Sequence, residues 1–190
     1  MSITESIYGV LFEPVATLRN LADQKPYGRA LLIFIVITLL SIIFEQALMV
    51  YNSNEVLEKI PANAVWAFNL MAAILSILML LVISGLLSLI SEIIYGKFNA
   101  GGLLVALCYA SVPGILGPPV HYAFSLAGLE WLGSIAALLA MVWVLVLQVI
   151  GVRESLRVTT GQAILIMVLP GLVTVLVLAG MVAMVVLGMK

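Results

Sequence analysis

The chain has 190 residues, of which 64% are hydrophobic and only 9% are charged, and its formal net charge is −1. A typical soluble domain is roughly 45–50% apolar and about 25% charged, and a small globule cannot hide this much apolar surface. The composition therefore excludes a soluble enzyme and a disordered chain, and the charge gives no electrostatic basis for binding nucleic acid. We expect an all-α polytopic membrane protein.

The first predicted element is an amphipathic segment over residues 1–29, which we expect in the cytoplasm. Its first residues, Ser2-Ile3-Thr4-Glu5, have the pattern of a capping box. Apolar residues then recur near the helical period, and Pro14 suits the first turn of a second helix. We predict two short helices in the membrane interface, with their apolar side in lipid. Such a segment serves either as a lipid or curvature sensor or as a simple membrane-parallel anchor. The basic residues expected to face the head groups are Arg19, Lys25 and Arg29.

Residues 30–190 form the second predicted unit, a bundle of five transmembrane helices. A bilayer core of about 30 Å needs about 20 apolar residues per helix, and five stretches meet this requirement. To within a few residues they cover 30–50, 64–90, 103–126, 131–150 and 163–187. The connecting segments are short, so we expect one compact bundle without a separate soluble domain.

The orientation of the bundle is predicted from its basic residues. With five spans, six of them fall on one side and two, Lys59 and Lys190, on the other. Because basic residues concentrate on the cytoplasmic side, we expect a cytoplasmic N-terminus and an external C-terminus. If the third stretch were instead a re-entrant hairpin, the bias would fall to five against three. The six are Arg19, Lys25, Arg29, Lys97, Arg153 and Arg157.

Two polar features lie within the first two spans. Glu45 is a carboxyl group in an apolar helix, where an ionised side chain is costly unless it faces the bundle, pairs or is protonated. It either handles protons or cations or is a packed, hydrogen-bonded carboxyl near the interface. Asn69 begins a polar stripe on the second span, which is either a polar pathway or a face for close helix packing. The other members of the stripe are Ser76, Ser84, Ser88 and Ser91.

The third span is interrupted by prolines. Pro113 removes the helical hydrogen-bond partner of the Tyr109 carbonyl, while Pro118 and Pro119 do the same to the carbonyls of residues 114 and 115. Freed carbonyls in lipid must find other partners, and we expect the break to face the polar stripe between Asn69 and Ser84. Broken helices often mark transport sites, but they also occur as static kinks. His121, near the end of this span, is a residue type that can exchange a proton near neutral pH, or it is structural.

Signatures of catalysis are lacking in the sequence. It contains no phosphate-binding glycine loop, no nucleophile elbow and no HExxH motif. With one histidine and one cysteine, Cys108, it offers no zinc or haem cluster. We therefore expect no catalytic residues, no metal site and no cofactor, and an enzyme is disfavoured.

Several short motifs resemble those of the Yip family of five-span membrane proteins. Tyr109 and Pro113 match the Tyr-x-x-x-Pro feature of the family. Eukaryotic members have a longer cytosolic N-terminal region and bind small Rab-type GTPases in vesicle traffic. The size of this chain resembles the bacterial branch, which implies a bacterial inner membrane. The motifs are Phe12-Glu13-Pro14, Tyr95-Gly96-Lys97-Phe98, Leu107-Cys108-Tyr109-Ala110-Ser111-Val112-Pro113 and Gly151-Val152-Arg153-Glu154 with Thr160 and Ala163.

The resemblance implies a non-enzymatic integral membrane protein that organises membrane or partner proteins. The alternative is a small transporter or channel built around Glu45 and the broken third helix. A lipid-modifying enzyme is a third and weaker hypothesis. The expected partners are the lipid bilayer, a membrane or cytoplasmic protein and, in a homo-oligomer, further copies of the chain.

Overall fold

The computed structural model of the chain describes residues 2–51 and 62–188. These residues form helices joined by short connections, with no strand among them. In chain order the helices are α1 (Ile3–Phe12), α2 (Pro14–Gln24), α3 (Tyr27–Tyr51), α4 (Ala62–Tyr95), α5 (Ala100–Ala110), a 3₁₀ helix (Val112–Leu116), α6 (Gly117–Leu126), α7 (Glu130–Leu156) and α8 (Thr160–Gly188).

Five helical segments are long and apolar enough to cross a membrane, as the sequence predicts. The first begins at Tyr27, so Arg29 lies in its first turn rather than before it. The third comprises α5, the 3₁₀ helix and α6 together. Lys59 and Lys190, which define the minority side of the charge bias, lie outside the described residues.

The third and fourth spans pack antiparallel along their whole length. The Ser155 hydroxyl lies 3.4 Å from the Gly102 carbonyl at one end, and Gly133 lies against His121 at the other. Contacts between these ends follow the same register throughout. A re-entrant hairpin would reverse this register midway, so the hairpin alternative is wrong. The intervening contacts join Ala106 to Gly151, Gly114 to Val144 and Gly117 to Ala140.

Helix α5 is the centre of the bundle. Each residue from Gly102 to Ala110 is buried, because α2, α3, α4 and α7 all pack around it. Small residues allow this close approach: a Cβ atom at Gly102 would lie 2.6 Å from the Ala22 carbonyl oxygen of α2. Glycine and alanine residues therefore determine which helices can pack closely at the centre of the fold.

The predicted caps of the N-terminal helices are present. The Glu5 amide donates to the Ser2 hydroxyl at 3.2 Å, and the Ser2 amide donates to the Glu5 carboxylate at 2.8 Å, which completes the capping box. Pro14 occupies the first turn of α2, where its missing N–H has no helical partner to lose. The two short helices are therefore separated at the residue where the sequence places the boundary.

The packing of these two helices differs from the prediction. Val10, Leu18 and Leu21 are buried in one cluster with residues of α5, so the expectation that the apolar side of this segment lies in lipid is wrong for these positions. The exposed apolar residues include Tyr8 and Phe12 of α1, whose rings stack 4.6 Å apart. Helices of 10 and 11 residues are too short to be stable alone, and α5 offers them a protein surface to pack against.

Candidate functional site

The break in the third span has the form that its prolines allow. Pro113 lies at the start of the 3₁₀ helix, and Pro118 lies at the start of α6 with Pro119 beside it. At the start of a helix the fixed φ of proline is favourable and its missing N–H costs nothing. The chain therefore restarts helical structure twice within one span.

Carbonyls freed by the prolines find partners close to the break. The Gly117 amide donates to the Gly114 carbonyl, and the Ser111 amide is shared between the carbonyls of Leu107 and Tyr109. The Ser111 hydroxyl donates to the Cys108 carbonyl at 2.7 Å. The freed carbonyls of Tyr109 and Gly114 therefore have donors within the break and do not need them from the second span.

The predicted contact between the break and the polar stripe is accordingly wrong. The 3₁₀ helix and α6 pack mainly against α3 and α7, whereas α4 packs against α5. Asn69 instead donates to the Gln46 side chain of α3 at 3.2 Å. Ser84 and Ser88 are buried, and Ser88 accepts the Asn99 amide at 2.9 Å. The stripe is therefore a packing face that holds the turn into α5.

Tyr109 joins the third span to the N-terminal helices. Its side chain is 1% exposed and lies close to the Ser6 side chain of α1. Ser6 donates to the Ser2 carbonyl at 2.9 Å, and Tyr109 belongs to the same buried cluster as Val10 of α1. The sequence singled out Tyr109 but not this partner, 103 positions earlier in the chain.

A cavity of about 380 Å³ lies beside the break, between α3, the third span and α7. We call it the kink cavity. Glu45, Pro118 and His121 line it together, a proximity that the sequence does not predict. His121 Nε2 lies 3.5 Å from the Ser134 hydroxyl, and Gly133 leaves room for its ring. The other lining residues are Ser41, Phe44, Leu48, Gly114, Gly117, Ala137, Ala140, Met141 and Val144.

The kink cavity thus offers one carboxylate, one imidazole and one hydroxyl group, that of Ser41, within largely apolar walls. Such a set can exchange protons or hold a small cation. Within the described residues, no group of three His, Cys, Asp or Glu side chains is arranged to hold a metal ion. Tyr109, Asn69, Pro113 and Pro119 are not among the residues that line this cavity. The residues predicted from the sequence therefore fall into two groups, those that line the kink cavity and those that lie outside it.

An ion-pair cluster at the opposite ends of the spans was missed by the sequence analysis. The Glu154 carboxylate, only 5% exposed, accepts from Arg19 Nε at 2.7 Å and from Arg153 Nε at 2.8 Å. Arg157 pairs with Asp23 at 3.2 Å. From the sequence, these arginines indicate the orientation of the bundle, and Arg19 is also expected to face the head groups, but no ion pair is predicted for them. An acid placed between basic residues directly after an apolar run is the signal that could have revealed the cluster.

Comparison with known proteins adds a family to this geometry. The family model described as Yip1 domain matches residues 8–181, nearly the whole chain. No curated protein and no solved structure is significantly similar to the chain. The match spans α2, the break in the third span and the ion-pair cluster, as well as the second half of α1 and most of α8. The chain is therefore a member of the Yip1-domain family of membrane proteins.

Proposed function

We propose that this protein is a non-enzymatic organiser of the membrane, and that it presents partners with a surface built from α1, α2 and the nearby ends of the spans. The observation that carries the proposal is the fixed position of α2. Leu18 and Leu21 bury it against α5, and Arg19 joins it to Glu154 of α7. A segment held in this way is a preformed binding surface rather than a tether.

The chemistry of this surface suits protein or lipid partners. Its charged side chains include Arg19, Asp23 and Arg157, and the stacked rings of Tyr8 and Phe12 are exposed beside them on α1. Exposed aromatic and arginine side chains are enriched where proteins bind each other. The partner in this proposal is a further copy of the chain, another membrane protein or a cytoplasmic protein.

Site-specific crosslinking tests the proposal. A photoreactive amino acid replaces Tyr8 in one variant and Met71, an exposed residue of α4, in the control. We expect discrete protein adducts from position 8 in intact cells, identified by mass spectrometry. Leu18→Ala, which loosens α2, should reduce them. Adducts at position 8 that contain only lipid, or that match those at position 71, would refute an organising role of this surface.

The proposed orientation places this surface in the cytoplasm of a bacterial cell, since six of the eight basic residues lie on its side of the bundle. A cysteine at position 157 should then react with an impermeant reagent only from the cytoplasm, and one at position 190 only from outside. The Cys108→Ala background removes the native thiol. Reaction of both positions from the same side would contradict the proposed topology.

A transporter or channel is the second candidate, because Glu45 and His121 line the same cavity beside a broken helix. Proteoliposomes containing the protein would then show proton or cation flux above that of empty liposomes. Glu45→Gln should abolish the flux, whereas Glu130→Gln, outside the cavity, should not. Flux equal to that of empty liposomes would remove this candidate.

A further inference from the structure

A second cavity lies at the end of the bundle that carries the ion-pair cluster. Its volume is about 820 Å³, and it opens between α2, the end of α7 and the start of α8. Three arginines contribute to its wall, so we call it the arginine cavity. Its lining residues are Val15, Arg19, Arg153, Glu154, Arg157, Val158, Thr159 and Thr160.

The lining of the arginine cavity carries an excess of positive charge. Its single carboxylate, Glu154, is shared by Arg19 and Arg153. Arg157 is balanced only by Asp23, which lies outside the lining. Their side chains are 70% and 52% exposed, and exposed pairs of this kind contribute little stability. The Arg157 guanidinium can therefore turn toward an anion in the cavity at small cost.

The donors in the cavity match the oxygens of a phosphate group. A guanidinium presents five N–H groups in a planar fork, and this geometry suits phosphate oxygens. Arg153 Nη1 also donates to the Thr160 hydroxyl at 3.2 Å, which orients it along the wall. Helix α8 begins at Thr160, and the first turn of a helix adds partial positive charge.

The cavity lies at the depth of the lipid head groups. The apolar run of the fourth span ends at Val152, directly before Arg153, and the apolar run of the fifth begins at Ala163. Only residues 157–159 connect the two helices, so this turn cannot extend far from the membrane surface. Val15 and Val158 add an apolar part to the lining, which suits the start of an acyl chain but not a free anion.

From this placement we propose that the arginine cavity binds the phosphate of an anionic phospholipid in the adjacent leaflet. Arg19, Arg153 and Arg157 hold the phosphate oxygens, while Val15 and Val158 contact the glycerol and the first carbons of the chains. The inference goes beyond the proposed organising role and does not depend on a protein partner.

Native mass spectrometry of the purified full chain in detergent tests the proposal. The protein is titrated with phosphatidylglycerol or with phosphatidylcholine of the same acyl chains, and the bound lipid is counted. We expect one phosphatidylglycerol to be retained at least about tenfold more tightly than phosphatidylcholine, because phosphatidylcholine carries the same phosphate but its choline cation is repelled by the excess positive charge of the lining. Arg157→Gln and Arg19→Gln should each lower the affinity for phosphatidylglycerol severalfold.

Lys97→Gln is the matched control, because it removes one positive charge from the same end of the bundle but outside the arginine cavity. Arg157→Lys keeps the positive charge but removes the planar guanidinium group, so this variant should bind phosphatidylglycerol more weakly than the native chain. A melting curve for each variant shows that it is folded. If Arg19→Gln does not fold, the exposed Arg157 variants decide the result.

Three results would overturn the proposal. Equal retention of the two lipids would show that the net negative charge of the head group is not recognised. An equal loss in Lys97→Gln and Arg157→Gln would show general attraction to the surface rather than a site. Displacement of the lipid by millimolar inorganic phosphate would assign the cavity to a soluble anion. None of these results bears on the crosslinking test of the organising role.

Discussion

The two halves of the third span are both apolar, yet they differ in how completely other helices bury them. In the first half, α5, packing helices surround each residue from Gly102 to Ala110. In the second half, Val112, Pro113, Gly117 and Ser125 are buried, while Leu116 is largely exposed. Helices therefore enclose the first half from all sides, whereas the second half packs mainly against α3 and α7 and its break is set by local backbone chemistry. Substitutions in the two halves should differ accordingly.

The largest expected effect is that of Leu18→Ala, which removes a fully buried side chain that covers the first half. Truncating a buried leucine costs about 2–5 kcal/mol of the free energy of unfolding. The matched variant in the second half is Leu116→Ala, which should cost less than about 1 kcal/mol since this side chain is 59% exposed. Both are measured by unfolding in detergent, followed by labelling of the buried thiol of Cys108.

Equal losses in these two leucine variants would contradict the comparison, because they would mean that both halves depend on packing to the same degree. Faster labelling of Cys108 in Leu116→Ala than in Leu18→Ala would contradict it more strongly.

Gly102→Ala tests the close approach of α2 to α5. The new Cβ would lie 2.6 Å from the Ala22 carbonyl oxygen and 2.3 Å from the Asn99 amide nitrogen, so the backbone of α2 must shift. We expect a loss of about 1–3 kcal/mol, the usual range for overpacking. Gly85→Ala, where nothing lies within 4 Å, should be neutral or stabilising because alanine favours a helix. A melting temperature for Gly102→Ala at or above the native value would refute this packing.

In the ion-pair cluster, the loss of stability on breaking a pair should depend on whether its carboxylate is buried. Arg153→Ala leaves the buried Glu154 carboxylate with Arg19 alone, and we expect a loss of about 1–2 kcal/mol from the missing charged hydrogen bond. Asp23→Asn breaks the exposed pair with Arg157 and should change stability by less than about 0.5 kcal/mol. Thermal unfolding at low and high salt measures both. A larger loss in Asp23→Asn would show that the exposed pair holds α2 in place.

The sequence predicted the parts of this fold that depend on local chemistry. The five spans, the capping box at Ser2 and the break at Pro113 follow from hydropathy and from the geometry of proline, which act within a few residues. The contacts of Arg19 with Glu154 and of Tyr109 with Ser6 join residues more than 100 positions apart. No periodicity encodes such pairs. The kink cavity could not be predicted either, since it depends on the helices that happen to flank the break.

The smallest expected effect is that of Pro113→Ala, in the middle of the break. Alanine restores an N–H that can donate to the Tyr109 carbonyl, which now shares the Ser111 amide. The two prolines that start α6 and the 3₁₀ bond from Gly117 to Gly114 remain in place. We therefore expect the break to persist and the free energy of unfolding to change by about 1 kcal/mol or less. Hydrogen exchange across residues 107–120 measures the local change, and Cys108 labelling measures the global one.

Tyr109→Phe is the matched variant for this prediction, because it removes only the buried hydroxyl near Ser6. It should cost about 0.5–1.5 kcal/mol and loosen α1 without altering the break. If the kink cavity transports an ion, Pro113→Ala should lower the flux at unchanged stability, whereas Tyr109→Phe should lower stability at unchanged flux. A loss of stability in Pro113→Ala as large as that in Leu18→Ala would contradict the comparison. It would show that packing contributes as much to the second half as to the first, because changes in local hydrogen bonds alone could not cause so large a loss.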